Sequence, residues 1–272
     1  MAVRTFTDQM NREVQVNFPP RRIVSLVPSQ TELLFDLGLD AEVVGITKFC
    51  IHPRDRFKTT PKIGGTKLLH LDRIRELQPD LILGNKEENE REQIEVLMRE
   101  FPVWMSDIRT LEDALGMIEG IGAITGRTDA ARFVAASIRS GFDNLAHAAD
   151  NGGLSRALYL IWKDPYMAAG PGTFIDRVLQ AGGWRNAVIE NRYPEVPVSV
   201  IRDMDPDVVF LSSEPYPFRE RHISEIREIC PRATVMLVDG ELFSWYGSRL
   251  RRTPEYLLSL KQAVNQGSRE FL

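Results

Sequence analysis

The chain reads as an α/β protein of two similar lobes with mainly parallel sheets, joined by one long backbone helix. Three observations predict this. A ten-residue segment occurs twice, as Ile-Arg-Glu-Leu-Gln-Pro-Asp-Leu-Ile-Leu at 74–83 and as Ile-Arg-Asp-Met-Asp-Pro-Asp-Val-Val-Phe at 201–210. The offset of 127 residues also brings Glu87 opposite Glu214, and it is far longer than a solenoid period of roughly 20–50 residues. Strand-like apolar runs alternate with helical patterns in both halves, the mark of a parallel sheet with helices on its faces. Between the two copies Val134, Ile138, Phe142, Leu145 and Ala149 recur at spacings of three and four. They form one apolar stripe on a helix of about 20 residues, roughly 30 Å long. Two lobes of one design point to a ligand held between them.

The elements follow in order. Residues 3–16 alternate weakly around a turn at Asp8–Asn11 and predict a hairpin. Arg22–Val27 is a strand; Ser29-Gln30-Thr31-Glu32 has the capping-box pattern, with Ser29 as N-cap and Glu32 reaching back, and Gly38 ends that helix. Val43–Ile46, Leu81–Leu83 and Val103–Met105 are strands; Asp72–Leu77, Asn89–Phe101 and Leu111–Ile124 are helices. Thr128 is the expected cap of the linking helix, and Asn151-Gly152-Gly153 its end. In the second half Ala157–Ile161, Val208–Leu211 and Val235–Val238 are strands. Thr173–Ala181, Val198–Met204, Ile223–Ile229 and Pro254–Val264 are helices, with loops at Trp162–Gly172 and Asp239–Gly247. The chain therefore divides into an N-terminal hairpin (1–20), an N-terminal α/β lobe (21–126), a linking helix (127–150) and a C-terminal α/β lobe (151–272).

Composition narrows the function. Net charge is −4 with no basic run, which argues against nucleic acid as a partner. No apolar stretch approaches the roughly 18–20 residues that span a bilayer, so no membrane insertion is expected. The N-terminus lacks the apolar core of a secretory signal, which predicts a cytoplasmic protein, with a periplasmic one as the alternative if the chain is a processed form. The two cysteines, Cys50 and Cys230, fall in opposite halves and read as free thiols.

Parallel sheets place ligands beyond the carboxyl ends of their strands, which selects the loops at Pro28-Ser29, Lys48–Pro53, Asn85–Glu88 and Ser106-Asp107. With the strand, Pro-Ser-x-Thr-Glu and the linking helix in view, the chain resembles the helical-backbone periplasmic binding proteins of ABC importers, those for cobalamin, haem and iron-siderophores. The residues that carry the resemblance are Arg22–Glu32, Val44-Gly45-Ile46, Leu77–Ile82, Gly172–Ile175 and Ala181-Gly182-Gly183, and it extends over about residues 20–265. Cobalamin-binding members are the nearest in pattern. The resemblance implies non-catalytic binding of a metal chelate in a shallow cleft, with no intrinsic cofactor and an ABC permease as partner; the missing leader and second docking acid leave an intracellular carrier as the other role. It also implies docking acids on both lobes; the first is kept as Asp72, and the 127-residue offset places Ser199 at the second.

Candidate ligand residues follow from the loops and the resemblance together. His52 stands just before Pro53, where cobalamin binders carry an aromatic or polar residue, and neutral imidazole suits cobalt or iron. Phe49 shares its loop, and Cys50 is either a small buried side chain or a thiolate ligand. Tyr166, Tyr193, Tyr216, Trp245 and Tyr246 offer flat faces with polar tips, suited to a corrin or porphyrin, while Phe243 reads as core. Thr66 and Asn85 stand where cobalamin importers typically have tryptophan. Asn85, Glu87 and Glu214 can hydrogen-bond a chelate's periphery, and the helix start at Ser29 can face it. Phosphate-loop, His-Glu-x-x-His and Gly-x-Ser-x-Gly motifs are missing, which argues against the common enzyme classes. The alternatives to a binding protein are a cytosolic enzyme acting on such a chelate and a divalent-metal binder using Cys50, His52 and acids.

Overall fold

The computed structural model describes residues 2–148 and 155–266, which fall into two compact units. One holds the residues up to Ile138 together with Tyr246–Arg249; the other holds Arg139–Trp245 with the residues from Leu250 onward.

The first unit opens with an antiparallel hairpin, β1 (Ala2–Thr7) and β2 (Glu13–Phe18). Its turn is tied by Asp8, whose buried carboxylate accepts from the backbone N–H groups of Met10 and Arg12 and pairs with the Arg12 guanidinium. The body is a four-stranded parallel sheet in the order β4 (Val43–Ile46), β3 (Ile23–Ser25), β5 (Leu81–Asn85), β6 (Val103–Ser106). All four strands are buried along nearly their whole length, which is why they read as apolar runs rather than as alternation. The connecting helices are α1 (Pro28–Asp36), α2 (Arg54–Thr59), α3 (Leu71–Leu77), α4 (Arg91–Met98) and α5 (Leu111–Thr125). A capping box at Thr110 and Asp113 starts α5.

The second unit repeats the plan. Strand β7 (Ser155–Trp162) pairs in parallel with β10 (Val208–Ser212), which pairs with β11 (Thr234–Val238). The other edge of β7 carries two short strands, parallel β9 (Trp184–Asn186) at its start and antiparallel β8 (Met167–Ala168) at its end. Helices α7 (Phe174–Ala181), α8 (Val198–Met204), α9 (Glu220–Ile229), α10 (Glu241–Ser244) and α11 (Thr253–Asn265) complete it, and a 3-10 turn at Ser248–Arg251 begins in the first unit and ends in the second.

Helix α6 (Thr128–Ala148) begins in the first unit and ends in the second. Val134, Ile138, Phe142 and Leu145 of its apolar stripe are buried as expected. Ala149 and the expected terminator at Asn151-Gly152-Gly153 lie outside the described residues. Thr128, expected as a cap, is the first helical residue. In the first unit α6 lies hard against α5: a Cβ on Gly122 would stand 2.2 Å from that of Ala131, so only glycine permits this approach.

The repeated segments take equivalent conformations. Helices α3 and α8 both end on a left-handed residue, Gln78 (φ 44°) and Asp205 (φ 43°), followed by Pro-Asp. In the first copy the Asp80 carboxylate accepts from the N–H groups of Arg21 and Arg22, each at 2.8 Å, and Asp80 N–H donates to Arg22 O. In the second, the Asp207 carboxylate accepts from Arg156 N–H at 2.6 Å and Asp207 N–H donates to Arg156 O. Each aspartate thus clips the entry of the next strand in the sheet to its own.

The N-terminus of α1 departs from expectation. Ser29 is not its cap. Val27 is the cap residue without a side-chain bond, Pro28 takes the first turn, where its fixed φ suits a helix start, and Ser29 lies inside the helix. Glu32 does not reach back; it makes a two-pronged ion pair with Arg249, Nε–Oε2 2.9 Å and Nη2–Oε1 2.6 Å. That pair anchors the late segment Tyr246–Arg249 to the first unit. Gly247 is required there, because a Cβ would come within 2.3 Å of the Ser29 carbonyl oxygen.

Charged acceptors of backbone N–H groups contribute about 1.5–3 kcal/mol when shielded and less at exposed positions. Asp80→Ala and Asp207→Ala are each expected to lower the unfolding free energy by about 1–2 kcal/mol in urea titrations. An unchanged midpoint for both would show that the clips carry no stability.

Candidate functional site

Because each sheet is parallel through its core, its strands end at one edge, and the loops that follow them form a rim on each unit. Under the rim of the first unit lies a buried polar layer. Gln30 Nε2 donates to Ser106 Oγ at 2.7 Å, and Asn85 Nδ2 donates to the same oxygen at 2.9 Å and to Ser106 O at 3.3 Å. Asn85 Oδ1 accepts from the N–H groups of Glu87 (2.8 Å) and Glu88 (3.1 Å). Asn89 bridges Asn85 N–H (2.8 Å) and Thr66 O (3.0 Å). Thr31 Oγ1 bonds Ser25 Oγ at 2.7 Å and the Cys50 thiol at 3.1 Å, and Thr47 Oγ1 lies 3.1 Å from that thiol.

This layer reassigns three expected ligand residues. Asn85 is buried, its amide NH2 taken by Ser106 at the end of β6 and its carbonyl by its own loop, so it shapes the loop instead of facing outward. Cys50 is fully buried; burial raises its thiol above the ordinary range, and the hydrogen bonds from Thr31 and Thr47 only partly offset this. It is therefore the small buried side chain of the two readings, not a thiolate ligand. Ser29 is also buried, and its hydroxyl has no hydrogen-bond partner among the described residues.

Above the layer the rim is apolar. Phe49 is 49% exposed, Ile51 41% and Leu68 70%. The loop around Gly64–Leu68 lies along the residues after β4, held by the bond from Lys48 N–H to Gly64 O at 2.8 Å, and Gly65 backs onto the Phe49 ring. His52 and Thr66 are half-buried in these same loops, and so is Glu87, whose carbonyl accepts from Lys67 Nζ at 2.8 Å. Asp72 stands apart on α3, strongly exposed and paired with Arg75; Ser199 is exposed on α8.

The rim of the second unit is aromatic. Trp162 ends β7 at 40% exposure and meets Tyr216 edge-on, ring centroids 5.7 Å apart. Tyr216 packs in turn on Phe218 (4.8 Å) and His222 (5.6 Å). Tyr166 is half-buried, and burial raises its phenol; Tyr193 is half-buried beneath the Arg192 guanidinium, 5.6 Å from its ring centroid. Trp245 and Tyr246, expected to line a cleft, are buried. The Trp245 indole N–H donates to Glu214 Oε1 at 2.9 Å, and Ser244 Oγ donates to the same oxygen at 2.6 Å. Burial pushes the Glu214 carboxyl up; these two hydrogen bonds oppose the shift, and the charges of Glu241 and Asp239 add to it. Phe243 is core, as its sequence context suggested.

Two rim residues escaped the sequence reading, Trp162 and Leu68. Trp162, expected to open the loop Trp162–Gly172, is instead the last residue of β7. Among the described residues no group of three or more His, Cys, Asp and Glu is placed to hold a metal ion, and no helix is long and apolar enough to cross a membrane.

Two repeated α/β lobes, a long helix running from one into the other, and loops that display apolar rings at the strand ends define a solute-binding protein. The chain belongs to the family described as periplasmic binding protein, which residues 23–228 match. It is 28% identical over 214 residues to the cobalamin-binding protein of Halobacterium salinarum, an alignment that covers 75% of this chain and 57% of that relative, so the chain matches little more than half of the relative's length. Among solved structures it superposes on the periplasmic vitamin B12 binding protein BtuF of Vibrio cholerae with a TM-score of 0.78 at 19% identity, covering 92% of this chain and 100% of that one. It superposes on the periplasmic haem-binding protein RhuT of Roseiflexus sp. RS-1 with a TM-score of 0.77 at 22% identity, covering 91% and 98%.

The family bears on two expectations. The reading as a binding protein and not an enzyme agrees with the family description and with the relatives, which are named as binding proteins. The expected cytoplasmic location is overturned: the family and its solved members are periplasmic. That expectation rested on the look of the first residues, and the point at which a sequence begins does not decide where the protein works.

Burial makes a thiol unreactive because the thiolate is the nucleophile. Both cysteines are buried and free, with thiols raised by burial. Native protein is therefore expected to react slowly with a thiol-specific disulfide reagent and to release two equivalents once unfolded. Rapid labelling of Cys50 in native protein would show that the Lys48–Pro53 loop opens.

Proposed function

We propose that the chain binds a metal chelate with a large, flat, mostly apolar ring, a corrin or another metal tetrapyrrole, at the loops beyond the carboxyl ends of its strands. The observation that carries this reading is the exposure of Phe49, Ile51 and Leu68 on one rim and of Trp162 on the other. Clusters of exposed apolar side chains at strand ends mark binding surfaces. Aromatic edges and faces suit a conjugated macrocycle. The cobalamin-binding relative and the vitamin B12 and haem binders of the same fold support the choice of chelate.

The residues assigned to the ligand are Phe49, His52, Thr66 and Glu87 in the first unit and Trp162, Tyr166, Tyr193 and Tyr216 in the second. His52 is the residue chemically suited to axial coordination, since neutral imidazole binds cobalt and iron. Glu214 acts behind the surface, holding Ser244 and Trp245. Delivery to an ABC permease accords with the family, and Asp72, exposed on α3, is the docking acid on the first unit. Ser199 offers no charge at the matching place, so docking there requires other contacts.

Titration with cyanocobalamin and with haemin, followed by tryptophan quenching and by the absorption of the chelate, tests the assignment. Saturable one-to-one binding of at least one chelate is expected. Phe49→Ala and His52→Ala should each weaken it several-fold, roughly 1 kcal/mol or more. A chelate absorption shift lost only in His52→Ala would mark His52 as the axial ligand. Failure of both chelates to bind would overturn the reading.

A further inference from the structure

His222 is the third residue of α9, buried, and in contact with the aromatic rim of the second unit. Its Nδ1 lies 2.8 Å from the backbone N of Arg219, the residue that caps the helix. An imidazole nitrogen accepts a hydrogen bond only when it carries no proton. The Arg219 N–H therefore requires a ring protonated at most on Nε2. That Nε2–H faces Tyr216 Oη at 3.3 Å. Arg221 Nε–H is directed at the same Nε2 at 3.3 Å; the 2.8 Å contact from Arg219 is the shorter and sets the tautomer, which leaves the Arg221 guanidinium beside Nε2–H as a positive charge. The arrangement is one half of a capping box, with imidazole in place of the usual Glu or Gln oxygen.

The rings continue outward from this point. His222 is 5.3 Å from Phe218 and 5.6 Å from Tyr216, and Tyr216 is 5.7 Å from Trp162. A buried cap thus connects through two ring contacts to an exposed tryptophan at the rim.

We propose that His222 is a positioning residue with a pH-dependent hold: its neutral ring fixes the entry of α9 and with it the Tyr216–Trp162 pair, and a proton taken up at Nδ1 releases that pair and weakens binding of the chelate. The effect on binding rests on the chelate reading above; the release of the pair does not. Protonation turns Nδ1 from acceptor to donor, and two donors then face each other across 2.8 Å. The first turn of α9 and the residues from Ser213 to Phe218 must rearrange to separate them.

The charges around the ring set the pH at which this happens. Burial is the largest influence and lowers the pKa of His222 from its ordinary value of 6.5; the Glu225 carboxylate opposes it, while Lys163 and Arg221 add to it. Lys163 follows β7 and is paired with Glu225, and Asp164 and Tyr166 act on Lys163. Because the folded-state pKa lies below the unfolded one, the unfolded chain binds more protons between the two. The neutral cap is fully stabilising above pH 6.5, and its contribution is lost as pH falls through the lower folded value.

Ligand-free protein, followed from about pH 7.5 to about pH 5 by imidazole NMR and by tryptophan fluorescence, isolates the hold from the chelate. The signal that disappears in His222→Gln identifies the ring among the four histidines. In wild type a fluorescence transition below pH 6.5 should share its midpoint with that ring and vanish in Trp162→Phe. His222→Gln, whose amide oxygen accepts the same N–H without titrating, should lack the transition. Its affinity for cyanocobalamin or haemin should not vary with pH by this route, whereas wild type should weaken roughly tenfold on acidification. A missing transition, or the same one in His222→Gln, overturns the proposal. If His222→Gln does not fold, a mismatch between the wild-type imidazole and fluorescence midpoints overturns it instead, and a match upholds it. Should neither chelate bind at any pH, the chelate reading falls while the ligand-free transition still decides the role of His222.

Discussion

Each sheet depends on how an aspartate after a proline holds the neighbouring strand. A left-handed residue, Gln78 or Asp205, ends the helix, Pro79 or Pro206 prevents its resumption, and Asp80 or Asp207 turns its carboxylate onto the backbone N–H groups at the entry of β3 or β7. Parallel strands have no hairpin to set their register. The clip supplies one: Ile23 pairs with Leu81 and Ala157 with Val208, in each unit beside the clipping aspartate. Once the strand starts are aligned, the strand ends are aligned as well. The rims inherit their level from a contact at the opposite edge of the sheet.

The rim of the first unit is backed by a buried polar layer that bonds the loop backbone, although Ser29 Oγ and Gln30 Oε1 in it have no hydrogen-bond partner among the described residues. Asn85, Asn89, Gln30 and Ser106 bond one another and the loop backbone, so the turn after β5 has its hydrogen bonds supplied from within the protein. Each bond made in this layer offsets the cost of burying its polar groups. The ion pair between Glu32 and Arg249 follows the same logic at higher stakes: both charges are largely buried, and loss of one partner would leave the other uncompensated, a cost of about 3–5 kcal/mol. This pair holds residues 246–249 to α1 although more than two hundred residues of chain separate them.

Much of this was legible before any coordinates. Runs buried on both faces, stripes at helical spacing and a ten-residue repeat gave the strands, the long helix and the two-lobed class. Four short elements, α2, α10, β8 and β9, were not legible, because two to six residues carry too little period to be read. Ser29 was misread as a cap because the Ser-x-x-Glu pattern is local, while Pro28 and the distant Arg249 decide what Ser29 and Glu32 do. Asn85, Trp245 and Tyr246 show the limit at the site. Residue type suggested ligand contact, but only the fold reveals that Ser106 takes one amide and Glu214 the indole N–H. Trp162 reads as the first residue of a loop, and the fold makes it the last side chain of the strand, half outside.

The exposed rings are held on backbone that is already ordered, and that bears on how a ligand is recognised. Lys48 N–H bonds Gly64 O, Tyr216 N–H bonds Ile161 O, and Phe218 N–H bonds Ser212 O, so the loops bearing Phe49 and Tyr216 are fastened to strands or to neighbouring turns. Binding a rigid ring to such loops loses little further conformational entropy, so more of the contact energy survives as affinity. The two rims are nevertheless chemically unlike. One offers Phe49 with two aliphatic side chains; the other offers Trp162 edge-on to Tyr216, backed by a titratable histidine and the Lys163–Glu225 pair. Each rim therefore offers its own chemistry, one ring with aliphatic neighbours on the first unit and paired rings beside an ion pair on the second.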